Sequence, residues 1–212
     1  MNKDRIRRYV NIFIAAGSIG SWLSMFLIGG GELASSGWAT MKYFTVLSNL
    51  FAGITAVAWL FRTVKGNKAS ERLERVKYVA AVSVMLTFTV VMVFLGPLYG
   101  YIEMVKSANL FFHVLVPLVC LAEIIFLQDA NITKRDNLIA VIPPLMYGIA
   151  YLTNILINGR GEWPDTNDWY WFFAWGYAVG VVIYVVIIIV TWLLGLMMRK
   201  LQKNITEPIN IF

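Results

Sequence analysis

The sequence predicts an all-α integral membrane protein, a single bundle of six transmembrane helices, and three observations lead to this fold class. First, 59% of the 212 residues are hydrophobic and only 14% are charged, whereas soluble globular chains contain about 45–50% apolar and roughly 25% charged residues. Second, the apolar residues occur in six long blocks. Third, the basic residues fall almost entirely on one side of the bundle that these blocks would form.

Each apolar block is long enough to cross a bilayer, which takes about 20 mostly apolar residues in a helix. Irregular backbone cannot face lipid, so blocks of this length are expected to be helical. The last block is overlong and opens with an aromatic cluster at 169–175, which is typical of a belt at the membrane interface. Short connections predict one domain over 1–212. The six predicted spans are about 9–28, 41–61, 77–98, 107–128, 137–157 and 170–198.

The distribution of lysine and arginine predicts the orientation of the bundle. With the N-terminus in the cytoplasm, 15 of the 18 basic residues lie on the cytoplasmic side, and only Lys42, Lys106 and Arg160 lie outside. This asymmetry places both termini in the cytoplasm. It also explains the net charge of +6, so no nucleic-acid partner is expected. We expect a multi-pass protein of the cell (plasma) membrane, and the sequence leaves its oligomeric state open.

Polar side chains inside the spans are costly in lipid and are the first candidates for function. His113 is the only histidine and lies ~9 Å below the outer end of the fourth span at 1.5 Å per residue. Thr45 lies ~6 Å below the outer end of the second span, which runs in the same direction. On depth alone the hydroxyl and the imidazole can meet. A hydroxyl beside a general base is the minimum for nucleophilic attack on an ester or amide.

Four further polar residues approach the same level. Ser48 and Asn49 follow Thr45 by three and four residues and therefore share its helical face. Tyr151 and Asn154 rise toward the outer leaflet in the fifth span. All four are candidates for binding substrate or donating to an oxyanion, and the last two also for orienting the imidazole. Ordinary hydrogen bonding between helices is the alternative role for each.

No carboxylate within the spans lies at the depth of His113, although Glu103, Asp165 and Asp168 could reach it from the loops. Cys120, the only cysteine, follows His113 by seven residues. That spacing separates the two side chains by ~10 Å along the helix, so we interpret Cys120 as a packing residue rather than a nucleophile. Neither a metal nor an organic cofactor is expected.

Two other interpretations stay open at this point. A lone histidine in a membrane can simply bond a neighbouring helix, and threonine can bond a carbonyl one turn back, which would suit a non-catalytic protein that binds a lipid or a partner. Alternatively, His113 and Glu123 could form a proton relay in a small proton-coupled carrier. Glu123 is also expected to form an ion pair with Lys134, Arg135 or another basic residue on the inner side.

Two motifs resemble the androgen-induced-gene family of six-helix membrane proteins. They are the stretch Lys42-Tyr-Phe-Thr45-Val-Leu-Ser48-Asn49-Leu and the pattern His113-x-x-x-Pro117 followed by Glu123. The resemblance implies a threonine hydrolase that cleaves fatty acid esters of hydroxy fatty acids, which would reach the protein from the bilayer. It also implies that Thr45 is the nucleophile and His113 the general base.

Overall fold

The computed structural model describes residues 2–29, 35–64, 66–162 and 166–206. Within these ranges the protein is helical and has no β-strand, and six helices are long and apolar enough to cross a membrane. The prediction of an all-α, multi-pass membrane protein is therefore confirmed. The helices are α1 (Lys3–Ile28), α2 (Phe44–Thr63), α3 (Glu71–Tyr99), α4 (Ala108–Leu127), α5 (Lys134–Asn158) and α6 (Tyr177–Ile205).

Helix α3 forms the centre of the bundle. In its most apolar window 67% of the residues are buried, compared with 17% in α6. It packs against α2, α4 and α6, while α1 packs against α2 and α4. The main core lies between these helices and contains residues such as Ile14, Tyr78, Val82 and Ile124. We call the end where α1 ends and α2 begins the distal end, and the opposite end the proximal end.

Proline accounts for irregular turns in α3 and α4. A proline has no N–H, so the carbonyl four residues before it loses its helical donor. Pro97 and Pro117 each follow a π turn, Val91–Leu95 in α3 and Phe111–Leu115 in α4. In the second turn the Val116 N–H bonds the Phe111 carbonyl, five residues back. His113 therefore lies in a widened helical turn. Such π turns are frequent at functional sites.

Helix α5 contains a turn at 140–141, and Pro143 and Pro144 lie in the first turn of the segment Ile142–Asn158 that follows. This segment approaches α6 closely at Gly148, where an added Cβ would lie 1.6 Å from the Tyr184 ring. A side chain at position 148 would thus displace Tyr184.

The prediction that the sixth span begins at residue 170 with the aromatic cluster is wrong. The helix begins at Tyr177, after Gly176, which has a φ of +97° that side-chain-bearing residues rarely adopt. Residues 166–176 instead form a loop, which we call the aromatic loop. Phe172 and Phe173 of this loop are buried in a cluster with side chains of α5 and α6, whereas Trp171 and Trp175 are exposed.

Candidate active site

A cavity of about 300 Å³ lies at the distal end of the bundle, and both Thr45 and His113 line it. Side chains from α1 to α4 and from the aromatic loop line it. Most of the lining is apolar or aromatic, and Asn109 adds a polar group one helical turn before His113. Both residues that the depth argument pairs therefore line the same cavity.

Thr45 is the second residue of α2, and its side chain is half-buried. The preceding N-cap residue, Tyr43, makes no capping hydrogen bond with its side chain. The first N–H groups of a helix have no partner within the helix, so the backbone around Thr45 presents donors to its surroundings. Thr45 also lines a second, narrow cavity of about 40 Å³ between α3, α5 and α6, so this residue lies where two cavities meet.

The imidazole of His113 is buried, and its Nδ1 is hydrogen-bonded to the backbone carbonyl of Met104. A carbonyl only accepts hydrogen bonds, so Nδ1 carries the proton and Nε2 of the neutral ring keeps its lone pair. No hydrogen bond reaches Nε2 from the residues that the structure describes. A ring nitrogen held in this way can act as a general base.

Met104 thus has the orienting role for which the sequence suggested a carboxylate, Tyr151 or Asn154. Of the three carboxylates considered, Glu103 pairs with Lys106 on the surface and Asp165 lies outside the described residues. Asp168 is buried, but it accepts hydrogen bonds from the Tyr151 hydroxyl and the Phe173 N–H. The orienting group is a backbone carbonyl, which has no side-chain signature in a sequence.

Ser48 and Asn49 do not line the cavity that contains His113. The Ser48 hydroxyl bonds the Thr45 carbonyl at 3.1 Å and the Thr87 hydroxyl at 3.2 Å, and Ser48 faces a different cavity toward α5. Asn49 Nδ2 donates to two carbonyls, those of Thr45 at 2.8 Å and Phe112 at 3.1 Å. These donors therefore stabilise the backbone next to the site and do not contribute to the cavity that contains His113.

Tyr151 and Asn154 are also outside that cavity. Tyr151 accepts the Tyr170 N–H at 3.3 Å in addition to bonding Asp168. Asn154 donates to Asn167 at 3.1 Å. Both side chains hold the aromatic loop, so neither orients the imidazole of His113.

Tyr170 is the side chain at the site that sequence reasoning missed. Its hydroxyl accepts the Phe44 N–H at 2.8 Å, and its ring lines both cavities. Burial raises the pKa of Tyr170 to about 12, against hydrogen bonds with Tyr147 and Thr45 that lower it. The available signal was the aromatic run 169–175, which resembles an interface belt.

Glu123 lies apart from this site, in a buried cluster toward the proximal end. It forms ion pairs at 3.0 Å with Arg7 and with Lys77, and it accepts a hydrogen bond from Asn11 at 2.8 Å. The expected ion pair is present, with Arg7 and Lys77 as its partners instead of Lys134 or Arg135. Cys120 is buried in the main core, as its interpretation as a packing residue requires.

Comparison with known proteins identifies no relative: no family model, curated protein or solved structure matches the chain. The family resemblance of the two motifs therefore stays a prediction.

Proposed function

We propose that this protein is an intramembrane hydrolase that cleaves lipid esters with Thr45 as nucleophile and His113 as general base. The observation that carries the proposal is that both side chains line one cavity while Met104 leaves Nε2 of the imidazole available. The resemblance of the motifs suggests the substrate class, fatty acid esters of hydroxy fatty acids. The apolar and aromatic lining of the cavity suits such a substrate, which would enter from the bilayer.

The reaction follows from the roles of the two side chains. Nε2 of His113 takes the proton from Thr45 Oγ1, which attacks the ester carbonyl carbon and forms a tetrahedral oxyanion. The imidazolium then protonates the departing alcohol, and an acyl-threonine remains. His113 next takes a proton from water, whose oxygen attacks the acyl group. The second tetrahedral intermediate collapses, Oγ1 regains a proton, and the fatty acid leaves.

Purified protein in proteoliposomes tests this proposal. The assay measures fatty acid released from an ester of a hydroxy fatty acid by wild type, Thr45→Val and His113→Gln. General base catalysis contributes about 10²–10⁴-fold, so both variants should fall at least 100-fold. Thr89→Val is the matched control, because Thr89 bonds the Met85 carbonyl of its own helix and lines neither cavity. Turnover that survives both substitutions would exclude the proposed pair.

A further inference from the structure

The hydroxyl of Tyr170 lies at the N-terminus of α2, beside the proposed nucleophile. It accepts the N–H of Phe44, the residue before Thr45, at 2.8 Å. The Tyr170 ring also lines both cavities that meet at Thr45. A carbonyl group attacked by Thr45 would have to lie at this junction, so the phenol is adjacent to the position where negative charge would develop.

The backbone of the aromatic loop holds Tyr170 in this position. Its N–H donates to the Tyr151 oxygen, while the Tyr151 hydroxyl bonds the carboxylate of Asp168. The same carboxylate accepts the Phe173 N–H at 3.1 Å, and the Tyr170 ring stacks on Phe172 at 5.2 Å between centroids. A donor fixed in this way loses little freedom when it binds an oxyanion, which is the condition for effective stabilisation.

The surroundings of the phenol also make its O–H a stronger hydrogen-bond donor. Its oxygen accepts an N–H at the positive end of a helix, which polarises the O–H bond. The Tyr170 hydroxyl is also hydrogen-bonded with the side chain of Thr45, so the phenol lies directly beside the proposed nucleophile. The neighbouring donors of α2 are engaged, because Ser48 bonds the carbonyl of Thr45 and Asn49 bonds those of Thr45 and Phe112.

We infer that Tyr170 is a further catalytic residue, whose phenolic O–H donates a hydrogen bond to the oxyanion formed when Thr45 attacks an ester carbonyl. The inference rests on the proposed function and adds the hydrogen-bond donor to the oxyanion that the proposed reaction lacks. Tyr170 forms no covalent bond and stays protonated. The hydrogen bond strengthens as each of the two tetrahedral intermediates forms and weakens as each collapses.

Tyr170→Phe removes the donor and keeps the ring that shapes both cavities. Loss of one oxyanion donor lowers kcat by about 10²–10³-fold in known hydrolases, so kcat should fall to that extent while KM stays within threefold of wild type. Tyr177→Phe is the matched control, because Tyr177 lies at the start of α6 and lines neither cavity. Its kcat should stay within twofold. A rise in KM alone, or an unchanged kcat for Tyr170→Phe, would overturn the inference.

A second variant separates the role of Tyr170 as a hydrogen-bond donor to the oxyanion from its role as an acceptor at the N-terminus of α2. Replacement of Tyr170 by 3,5-difluorotyrosine keeps the ring and its oxygen but makes the phenol more acidic. Because activity needs the protonated phenol, the alkaline limb of the kcat profile should move to lower pH. An unchanged profile would overturn the inference even if Tyr170→Phe fails to fold. If wild type cleaves the ester and changes at Tyr170 have no effect on the rate, only this inference is refuted. If wild type does not cleave the ester, the proposed function is refuted.

Discussion

Asn49 shows at the scale of single residues how the two halves of the site are held at one depth. Its side-chain nitrogen donates to the carbonyl of Thr45 and to that of Phe112, the neighbour of His113. One amide group therefore connects α2 to α4 where the nucleophile and the base emerge. Since Asn49 Oδ1 is buried without a partner in the described part of the chain, the nitrogen alone makes this connection.

Asn49→Leu tests this role, because leucine has a similar size and no donor. Two buried carbonyls would lose a hydrogen bond, so unfolding free energy should fall by about 1–3 kcal/mol, and the melting temperature in detergent should fall by several degrees. Asn158→Leu is the control, because exposed Asn158 donates only to the side chain of Asn154. Equal melting temperatures for the two variants would show that Asn49 does not hold α2 against α4.

At the scale of helices, the π turn Phe111–Leu115 determines where His113 points. The turn precedes Pro117, which has no N–H to offer the His113 carbonyl. A π turn contains one more residue than the equivalent α-helical turn. Return to regular α-helix would therefore rotate the distal part of α4 by about 100° relative to the rest, since α-helices have 3.6 residues per turn.

Pro117→Ala restores the missing N–H and should favour that return. The imidazole would then leave the cavity, so ester hydrolysis should fall at least tenfold while the melting temperature stays the same or rises. Pro143→Ala is the control, because Pro143 lies in a first helical turn where no intrahelical bond is lost. Wild-type turnover by Pro117→Ala would mean that the π turn does not position His113.

At the scale of the whole molecule, a buried charge cluster fastens the proximal end of the bundle. Arg7 of α1 pairs with Glu74 of α3 and Glu123 of α4, and Glu123 also pairs with Lys77. Trp59 of α2 adds a hydrogen bond to Glu74 at 3.1 Å. Four helices thus meet in one network with two positive and two negative side chains.

Glu123→Gln leaves Arg7 and Lys77 with one carboxylate between them. Removal of one partner from a buried ion pair costs about 3–5 kcal/mol, so we expect a large fall in melting temperature. Asp129→Asn removes a carboxylate from the exposed pair with Lys3 and should change stability little. A Glu123→Gln variant of unchanged stability that loses pH-driven uptake in proteoliposomes would instead favour a carrier.

The predicted orientation is also a property of the whole molecule. The buried Cys120 is the only cysteine, so single-cysteine variants Lys68→Cys and Lys106→Cys can be made in a Cys120→Ala background. A membrane-impermeant maleimide should label position 106 in intact cells and position 68 only after lysis. The reverse pattern would contradict a cytoplasmic N-terminus.

The parts of the structure that could be predicted are those that depend on length and depth. Apolar length located the six spans, and distance from the ends of the spans located Thr45 and His113 at one level. The side of the helix from which a side chain projects was harder to predict. Depth alone does not distinguish Asn154, which faces the aromatic loop, from His113. The Met104 carbonyl acts through its backbone and leaves no pattern. The start of α6 depends on Gly176, whose positive φ ends the preceding loop.

The most direct test of the central claim is to find which residue reacts as the nucleophile. Wild type treated with a fluorophosphonate probe should carry a single adduct, which peptide mass spectrometry locates on Thr45, and His113→Gln should carry none. An adduct on a serine or another threonine, or labelling of Thr45 that is unchanged in His113→Gln, would contradict a hydroxyl activated by the neighbouring imidazole.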